Sequence, residues 1–535
     1  MAEGTTRKYT DARRQISQLT EIGIALSAEL NLDALLEKTL HHARELTRAD
    51  AGTLYLLLGG QLHFKILHNE SLKVFKGGTT GVAVDLEPVK LDMANVSAYA
   101  AIQGKTIHIE DVYRSAEFDF SGPRKYDKMT GYRSRSMLVV PMKNHHGDVI
   151  GVLQLINATE PETGAVGAFS DEAVNLAEAL ASQAAVAITN ASLVEEIKNL
   201  FDSLIRVLAT AIDMESPYTG NHVQRVAELN VVLAKAINEK RDGPFAGVHF
   251  TDEQLEEIRL AGWLHDVGKI TTPVWIMDKA TKLESIYDRI GLIETRFGFI
   301  RRGMEIAALE KKNEILRRGG SEEEMARLDG ELERQRGALK DDLDFLRRCN
   351  QPGEFMEDAK LKRLQEIAKK TYVEDGAEKP LLTEDEAHNL SIRKGTLTEE
   401  QLKIMRDHVI LTERMLSQIP FSGYLRNVPV YAAQHHERLD GKGYHKACKA
   451  EQLSLPARIL AIADFYEALS AKDRPYKKPM SEEVILSILQ KAADAGEIDK
   501  DVLELLTKDK IHHQFEEAYQ ATQRRSDGGT LKVEG

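Results

Sequence analysis

Several histidines and aspartates between residues 222 and 464 are of the types that bind metal ions. His265 and Asp266 stand side by side in the segment Leu264-His-Asp-Val-Gly-Lys269, and offer one nitrogen and one carboxylate that could bridge two ions. Adjacent side chains on a helix diverge by about 100°, so this pair can share a metal centre only if other helices bring further ligands to it. The chain supplies such ligands at His222, His408, His435, His436 and Asp464.

The composition of this set indicates the class of metal. Imidazoles mixed with carboxylates suit iron, manganese or zinc, and a structural thiolate zinc site is disfavoured because the set contains no cysteine. A single histidine on a helix is more often a core or capping residue than a ligand, and a lone His-Asp pair arises often by chance. Several such elements in order, on predicted helices, are much harder to explain in that way.

The spacing of these motifs resembles that of the HD-GYP family, a branch of the HD phosphohydrolase superfamily. The resemblance covers about residues 203–278 and 395–480. It rests on the segments Tyr218-Thr…His222…Arg225-Val, His265-Asp266…Gly268-Lys269, Gly395-Thr-Leu-Thr…His408, His435-His436-Glu-Arg…Asp440-Gly…Gly443-Tyr444, Arg458-Ile-Leu…Asp464 and Arg474-Pro-Tyr. Residues 14–188 resemble a GAF domain, a module for small-ligand binding and dimerisation.

The resemblance implies a role for each matching residue. Asp266 would bridge two divalent ions, iron or manganese in the first place and zinc as the alternative. One ion would be bound by His222, His265 and Asp464, and the other by His408, His435 and His436. Some family members hold a third ion with a glutamate before the first histidine, where Glu215 is the near candidate. Asp266 and Lys269 would act in catalysis, and the substrate would contact Lys269, Arg474, Lys477, Gly443 and Tyr444.

The resemblance also implies a reaction. Members of the family hydrolyse cyclic di-GMP to the linear dinucleotide or to GMP, and some act on the mixed cyclic GMP-AMP. We therefore expect a metal-dependent phosphodiesterase regulated by its GAF domain. Two alternatives stay open at this point: a receptor that binds metals and a cyclic dinucleotide with negligible turnover, and an HD hydrolase of another nucleotide phosphoester.

The chain departs from the family pattern at three places. His445 stands where the family motif has proline, and we expect it to be an exposed loop residue; a further polar contact is the alternative. The stretch from Asp464 to Arg474 is one residue longer than usual. A charged insertion at residues 279–394 interrupts the catalytic region of residues 203–480. We expect it to form two or three long amphipathic helices, paired as an antiparallel hairpin, without activity of its own; a lid or a dimerisation element is the alternative.

The elements that must position these residues follow from hydrophobic periodicity. Residues 14–188 combine helical patterns with short β-type runs, which predicts an α+β domain with an antiparallel sheet. Residues 203–278 and 395–480 are predicted to be all-helical, followed by a C-terminal helical segment and tail over 481–535. The strands are predicted at Gly52–Leu58, Gln61–Leu67, Thr106–Ile109, Ser136–Met142 and Val149–Ile156.

A long helix is predicted to start near Ser170 and to continue beyond the GAF-like domain. Its apolar residues follow 4-3-4-3-4 spacing, which is the pattern of a coiled-coil seam. We expect a parallel two-stranded signalling helix over residues 189–214, and hence a homodimer; a helix packed on its own domain is the alternative. The seam consists of Leu193, Ile197, Leu200, Leu204, Val207 and Ala211.

The ligand of the GAF-like domain is not indicated by its sequence. Asn157 is followed by alanine rather than by the lysine of a cyclic nucleotide-binding signature. We expect Asn157 to be a turn residue and Phe169 to be a core residue. His145 and His146 lie in a predicted hairpin turn over Lys143–Asp148, where exposure is expected.

Composition sets broader limits. The chain has 535 residues, enough for three to four domains, and 42% of them are apolar, which argues against general disorder. Its net charge of 71 − 84 = −13 is a poor match for duplex nucleic acid. Cys349 and Cys448 have no CxxC partner, which suits a reducing cytoplasm. No secretory leader or uncharged apolar run of about 18 residues is present, so we expect no membrane span.

Overall fold

A computed structural model of the chain describes residues 16–160, 162–215, 221–353, 355–471 and 480–527. The chain divides into two compact units, the first ending at Asp202 and the second beginning at Ser203. The first combines a sheet with helices and the second is mostly helical, which confirms the predicted fold class. Within the described residues, no helix combines the length and the apolar character that crossing a membrane requires.

The first unit contains one antiparallel sheet. Its strands are β1 (Ala49–Leu58), β2 (Gln61–Asn69), β3 (Val74–Gly77), β4 (Val89–Lys90), β5 (Ile107–Ile109), β6 (Met137–Lys143), β7 (Val149–Thr159) and β8 (Val166–Gly167). The central order is β3-β2-β1-β7-β6-β5, with β4 paired to β2 and β8 to β7. The predicted strands are present, whereas the short strands β3, β4 and β8 have no counterpart in the prediction because they are too short to show a period.

The predicted hairpin joins β6 to β7. The Asn144 side-chain oxygen accepts hydrogen bonds from the backbone N–H groups of His146 and Asp148, each 2.9 Å long. Gly147 adopts a φ of 87°, which a glycine reaches without steric cost. His145 and His146 are exposed at this turn, as expected.

Helices supply the core that covers the sheet. They are α1 (residues 16–27), α2 (Leu32–Thr47), α3 (Val96–Gln103), α4 (Ser121–Thr130) and α5 (Asp171–Glu215). Alternate residues of a strand point to opposite faces of a sheet. Leu138 of β6 accordingly packs in a core with Leu40 and Leu180, while the next residue, Val139, packs in a separate core with Val96.

Helix α5 begins where the sequence predicts. The Ser170 hydroxyl accepts a hydrogen bond from the N–H of Ala173 at 3.2 Å, and Asp171 and Glu172 lie in the first turn. Negative charge there is favourable because the N-terminal end of a helix carries partial positive charge. The helix continues without a break past the end of the first unit.

Asn157 is not the turn residue that the sequence suggests. It lies near the end of β7 with a φ of 60°, and it is 3% exposed. Its amide donates to the Tyr132 hydroxyl at 2.9 Å and accepts from the N–H of Arg135 at 2.7 Å. Asparagine tolerates this left-handed backbone and also bonds the neighbouring chain, which explains its place inside a strand. Phe169 is a core residue, as expected.

The second unit is mostly helical. Its helices are α6 (His222–Asn238), α7 (Asp252–Leu264), α8 (Val274–Met277), α9 (Ile290–Arg317), α10 (Glu322–Asn350), α11 (Asp358–Ala368), α12 (Glu384–Leu390), α13 (Glu399–Leu416), α14 (Val428–Ala433), α15 (Leu455–Ser470), α16 (Glu482–Asp494), α17 (Lys500–Lys508) and α18 (Ile511–Asp527). Capping boxes fix the starts of α7, at Thr251 and Gln254, and of α13, at Thr398 and Gln401. The central core joins α6 and α15 to α16, α17 and α18.

The insertion contains the predicted antiparallel hairpin of long helices, α9 and α10. Three ion pairs run along it in one register: Glu294 with Arg347 at 2.7 Å, Glu305 with Arg336 at 3.7 Å, and Lys312 with Asp329 at 2.5 Å.

The sequence predicted only helices in the insertion, but the rest of the insertion also contains two strands. Strands β9 (Thr371–Glu374) and β10 (Ala377–Pro380) form a hairpin around Asp375 and Gly376, which have φ values of 53° and 78°. Asp-Gly is the residue pair that such a tight turn favours, and the high charge of the segment hid this signal. The insertion also has an apolar core of its own, which includes Phe297, Leu346 and Leu364.

Candidate metal centre

The seven predicted metal ligands converge in the second unit from five separate segments. His222 opens α6, and His265 and Asp266 directly follow α7. The other four lie in or beside three further helices: His408 in α13, His435 and His436 just after α14, and Asp464 in α15.

Asp266 lies at the centre of this cluster. One carboxylate oxygen, Oδ2, lies 3.2 Å from Nε2 of His265 and 3.6 Å from Nε2 of His222. The other, Oδ1, lies 3.5 Å from Nε2 of His408 and 3.8 Å from Nε2 of His435. The two oxygens of a single carboxylate therefore face two different pairs of imidazoles.

Asp464 also contacts both sides of the cluster. Its Oδ1 lies 3.3 Å from Nε2 of His222, and its Oδ2 lies 4.0 Å from Nδ1 of His436. The ligand atoms form two groups, each with all atoms within 4.8 Å of one another. One group is His222, His265 and Asp266, and the other is His408, His435 and His436.

Backbone carbonyls orient three of the imidazoles. Each carbonyl belongs to the residue three positions earlier: Gly262 for His265, Met405 for His408 and Ala432 for His435, with Nδ1–O distances of 2.7, 2.5 and 2.6 Å. A carbonyl only accepts hydrogen bonds, so Nδ1 carries a proton, and in the neutral form of the ring the Nε2 lone pair faces the centre.

Four atoms at the centre are buried without a hydrogen-bond partner: Nε2 of His265, of His408 and of His435, and Oδ1 of Asp266. Such orphaned acceptors are costly to bury unless something electropositive binds them. All four face the space around Asp266, so the residues present fit divalent metal ions. A set of imidazoles and carboxylates without a thiolate suits iron, manganese or zinc.

His222 is oriented by residues whose roles were not predicted from the sequence. Its Nδ1 contacts the carboxylate of Glu467, whose other oxygen accepts a hydrogen bond from Nε of Arg225 at 3.3 Å. The Arg225 guanidinium also pairs with Glu516 of α18. The signal was available in part: Glu467 follows Asp464, and Arg225 follows His222, by the three residues that place side chains on one helix face.

Burial and charge give the ligands opposite protonation preferences. Burial lowers the pKa of His435 well below its ordinary value and lowers that of His436 to about 4. Burial would do the same to His222, but its contacts with Asp266, Asp464 and Glu467 outweigh burial and raise its pKa well above the ordinary value. Burial likewise disfavours the charged form of His265, but Asp266 outweighs burial and raises the pKa of His265. In metal-free protein the shifts therefore favour the neutral form of His435 and His436 and the charged form of His222 and His265.

Lys269 pairs with a ligand rather than facing open solvent. Its ammonium nitrogen lies 2.5 Å from Oδ2 of Asp266, and its side chain is partly exposed. Burial would raise the pKa of Asp266, but the charges of His265 and Lys269 outweigh it and hold the pKa well below its ordinary value. His265 and Lys269 together therefore favour the ionised form of the central carboxylate.

Close backbone packing brings α13 to the His-Asp segment. A Cβ atom on Gly268 would lie 2.0 Å from the carbonyl oxygen of His408. Thr412, one turn further along α13, accepts from the N–H of Gly268 at 2.9 Å and donates to the carbonyl of His265 at 3.1 Å. Glycine at position 268 lets the two segments that carry candidate ligands approach each other.

The loop after His436 forms one wall of the site. The Tyr444 ring lies 4.9 Å from the His436 ring, and the Arg406 guanidinium lies 5.3 Å from the Tyr444 ring. Gly443 packs against backbone, since a Cβ there would lie 2.4 Å from the nitrogen of Arg438.

His445 is not the exposed loop residue that the sequence suggested. Its Nε2 lies 2.8 Å from Oε2 of Glu413 on α13, and 15% of its side chain is exposed. The expectation of exposure was wrong and the alternative of a polar contact is what the structure shows, because the packing of α13 against this loop makes Glu413 a neighbour. Arg474, Lys477 and the side chain of Glu215 lie outside the described residues.

The first unit has a cavity of about 320 Å³ on the side of the sheet covered by α3 and α4. Its walls combine apolar groups such as Met137 and Ile156 with the polar side chains of Ser97, Asp119 and Gln154. A mixed apolar and polar lining is typical of small-molecule sites.

Both compact units match known protein families. The GAF domain family matches residues 31–188, and HD domain families match residues 219–332 and 384–502. The chain carries a GAF domain followed by an HD domain. The HD matches include all seven residues of the candidate metal centre.

Two curated relatives, both from Vibrio cholerae, resemble part of this chain. One is 3'3'-cGAMP-specific phosphodiesterase 1, 37% identical over 15% of this chain and 18% of the relative. The other is a probable cyclic di-GMP phosphodiesterase, 38% identical over 19% of this chain and 24% of the relative. The chain thus spans about a quarter or less of these relatives. Among solved structures, the crystal structure of the GAF domain from the Acinetobacter phosphoenolpyruvate-protein phosphotransferase is similar to part of this chain. The match has 16% sequence identity and a TM-score of 0.25, and it covers 34% of this chain and 96% of that structure.

Proposed function

We propose that this protein is a metal-dependent phosphodiesterase that hydrolyses cyclic di-GMP or a related cyclic dinucleotide to the linear dinucleotide or to GMP. The observation that carries the proposal is the set of orphaned nitrogen and oxygen atoms that surrounds Asp266. The names of the two relatives supply the substrate class.

In this proposal Asp266 is shared by two ions, iron or manganese, with zinc as the alternative. His222, His265 and Asp464 bind one ion, and His408, His435 and His436 bind the other. When bound, such ions generate a nucleophile from water at neutral pH and stabilise charge on phosphoryl oxygens. A third ion near Glu215 remains an extension of the same proposal.

The chain's own residues would orient the reaction. The carbonyl bonds to His265, His408 and His435 hold a proton on each Nδ1 and aim each Nε2 at the centre. Lys269 would stabilise developing charge on the substrate phosphate, since its partly exposed ammonium stands at the bridging carboxylate. Gly443, Tyr444, Arg474 and Lys477 are the further substrate contacts that we propose, and the Tyr444 ring offers a face on which a base could stack.

Regulation would come from the GAF domain. Its cavity is the proposed site of an unidentified small ligand. The seam of α5 would pair two copies of the chain, because Ile197, Leu200 and Val207 are each more than 60% exposed in the single chain. We place the protein in the cytoplasm on the ground that its sequence has only two cysteines, Cys349 and Cys448, and no CxxC pair.

Turnover by purified full-length protein tests the proposal. Protein prepared without oxygen and loaded with iron or manganese should convert cyclic di-GMP or cyclic GMP-AMP to linear product or GMP. Binding of an intact cyclic dinucleotide without product would instead indicate a receptor. Cleavage of another phosphoester, with every cyclic dinucleotide spared, would overturn the substrate assignment.

A further inference from the structure

A second group of ligand-type side chains lies outside the candidate metal centre. It consists of Glu482, the first residue of α16, and of His512 and His513 in the first turn of α18. Oε1 of Glu482 lies 3.0 Å from Nε2 of His512 and 2.7 Å from Nε2 of His513. The three ligand atoms lie within 4.8 Å of one another.

His512 is oriented in the same way as the imidazoles around Asp266. It is 3% exposed, and its Nδ1 lies 2.8 Å from the carbonyl oxygen of Leu506. The carbonyl requires a proton on Nδ1, so in the neutral ring the Nε2 lone pair faces the Glu482 carboxylate. Two acceptors that face each other need a cation or a second proton between them.

The setting of this group distinguishes it from an ordinary surface cluster. Its members come from two helices and include one buried, carbonyl-oriented imidazole, while His513 and Glu482 are about half exposed and leave a route from solvent. By contrast, His41, His42 and Glu45 all lie on the single helix α2, and none of them is buried. Two imidazoles and one carboxylate, with a position left for water, suit a zinc-like ion.

We propose that Glu482, His512 and His513 form a mononuclear site for a divalent transition-metal ion such as zinc, which ties the start of α16 to the start of α18. One turn further along α18, Glu516 binds Arg225, which binds Glu467, which contacts His222. The ion would thereby stabilise the contacts that orient His222, a candidate ligand at the other centre. Only this last consequence rests on the proposed function.

Metal stoichiometry of the full-length protein tests the site. Each variant is stripped with a chelator, dialysed against zinc and analysed for bound metal per chain. Glu482→Gln and His513→Gln should each bind one zinc ion fewer than the wild-type protein. Glu483→Gln, which removes the same charge from the same helix turn, and Gln514→Ala, at an exposed position of α18, should bind as many as wild type.

Equal zinc content in all five proteins would overturn the proposal. Circular dichroism of the stripped variants checks that they are folded, and only exposed members of the group are replaced because His512 is buried. Cobalt binding supplies a second readout: the visible absorption of cobalt should change in Glu482→Gln and stay unchanged in Glu483→Gln. The difference between these matched variants does not depend on whether Asp266 binds metal. If the proposed function fails, the test of the Glu482, His512 and His513 site therefore remains valid.

Discussion

The carboxylate of Glu467 contacts Nδ1 of His222, although the two residues lie 245 positions apart in the chain. Glu467 is 3% exposed and lies on the same helix as Asp464, which faces the other nitrogen of the same imidazole. One helix, α15, therefore supplies both a proposed ligand and the group that orients a second ligand. Such supporting carboxylates fix the tautomer of a metal-bound histidine and raise its basicity.

Glu467→Gln should weaken metal binding without removing a proposed ligand. The amide keeps the shape of the side chain but loses the charge that supports His222, so we expect metal affinity to fall by about 10–100-fold. Competition with a chromophoric chelator measures this change. Glu451→Gln, at an exposed position just before α15, is the control and should bind like wild type.

Asp266→Asn should have a larger effect, because one carboxylate faces imidazoles on both sides of the centre. We expect loss of both ions at this centre and a fall in turnover of roughly 10²–10³-fold or more. Elemental analysis and a product assay measure the two effects. Helical circular dichroism equal to that of wild type would show that the loss is local, and unchanged metal content would contradict the shared role.

Gly268→Ala should damage the centre through packing. The added methyl group would stand 2.0 Å from the His408 carbonyl oxygen, so α13 must move, at a cost of about 1–3 kcal/mol. Thermal unfolding and metal affinity should both decline. Gly298→Ala is the matched control, because nothing lies within 4 Å of its Cβ position in the interior of α9. This control should be stabilised by about 0.5–1 kcal/mol.

Metal affinity should rise with pH through the neutral range. The raised pKa of His222 keeps its imidazole protonated in metal-free protein, and a ligand must lose that proton. If binding releases one proton, the apparent metal affinity increases about tenfold for each unit of pH. This increase ends when the pH exceeds the pKa of His222 in the metal-free protein. His436, with a pKa of about 4, releases none near neutrality. Calorimetry in two buffers of different ionisation enthalpy counts the protons, and a count of zero would contradict this protonation state.

The seam of α5 should govern association. Leu200 is 62% exposed in the single chain, and an aspartate there would place like charges in the centre of a two-stranded coil. Leu200→Asp should therefore convert dimers to monomers in analytical ultracentrifugation. Lys198→Asp introduces the same side chain off the seam and should leave dimers intact. Wild-type protein that sediments as a monomer would rule out the paired helix.

The parts of the fold that depend on local sequence could be predicted from it. The β6–β7 hairpin and the start of α5 follow from turn and capping residues that act on their own neighbours. The β9–β10 hairpin was missed because its charged residues mask the only local signal, the Asp375-Gly376 pair.

The site could be predicted as a set of residue types, but not its supports. Histidine and aspartate can be recognised from the sequence as residues that bind metals. The contact of His445 with Glu413, by contrast, forms only when α13 packs against the loop. The same holds for Gly268, whose small size matters only because α13 crosses above it. Such contacts depend on packing between segments that are distant in the chain, and this packing cannot be inferred from a single sequence.

Anomalous diffraction from crystals of the iron- or manganese-loaded protein tests the central claim most directly. We predict two peaks inside the cluster, one beside His222, His265 and Asp464 and one beside His408, His435 and His436, with Asp266 between them. Fully loaded crystals that show no anomalous peak among these seven side chains would contradict the account.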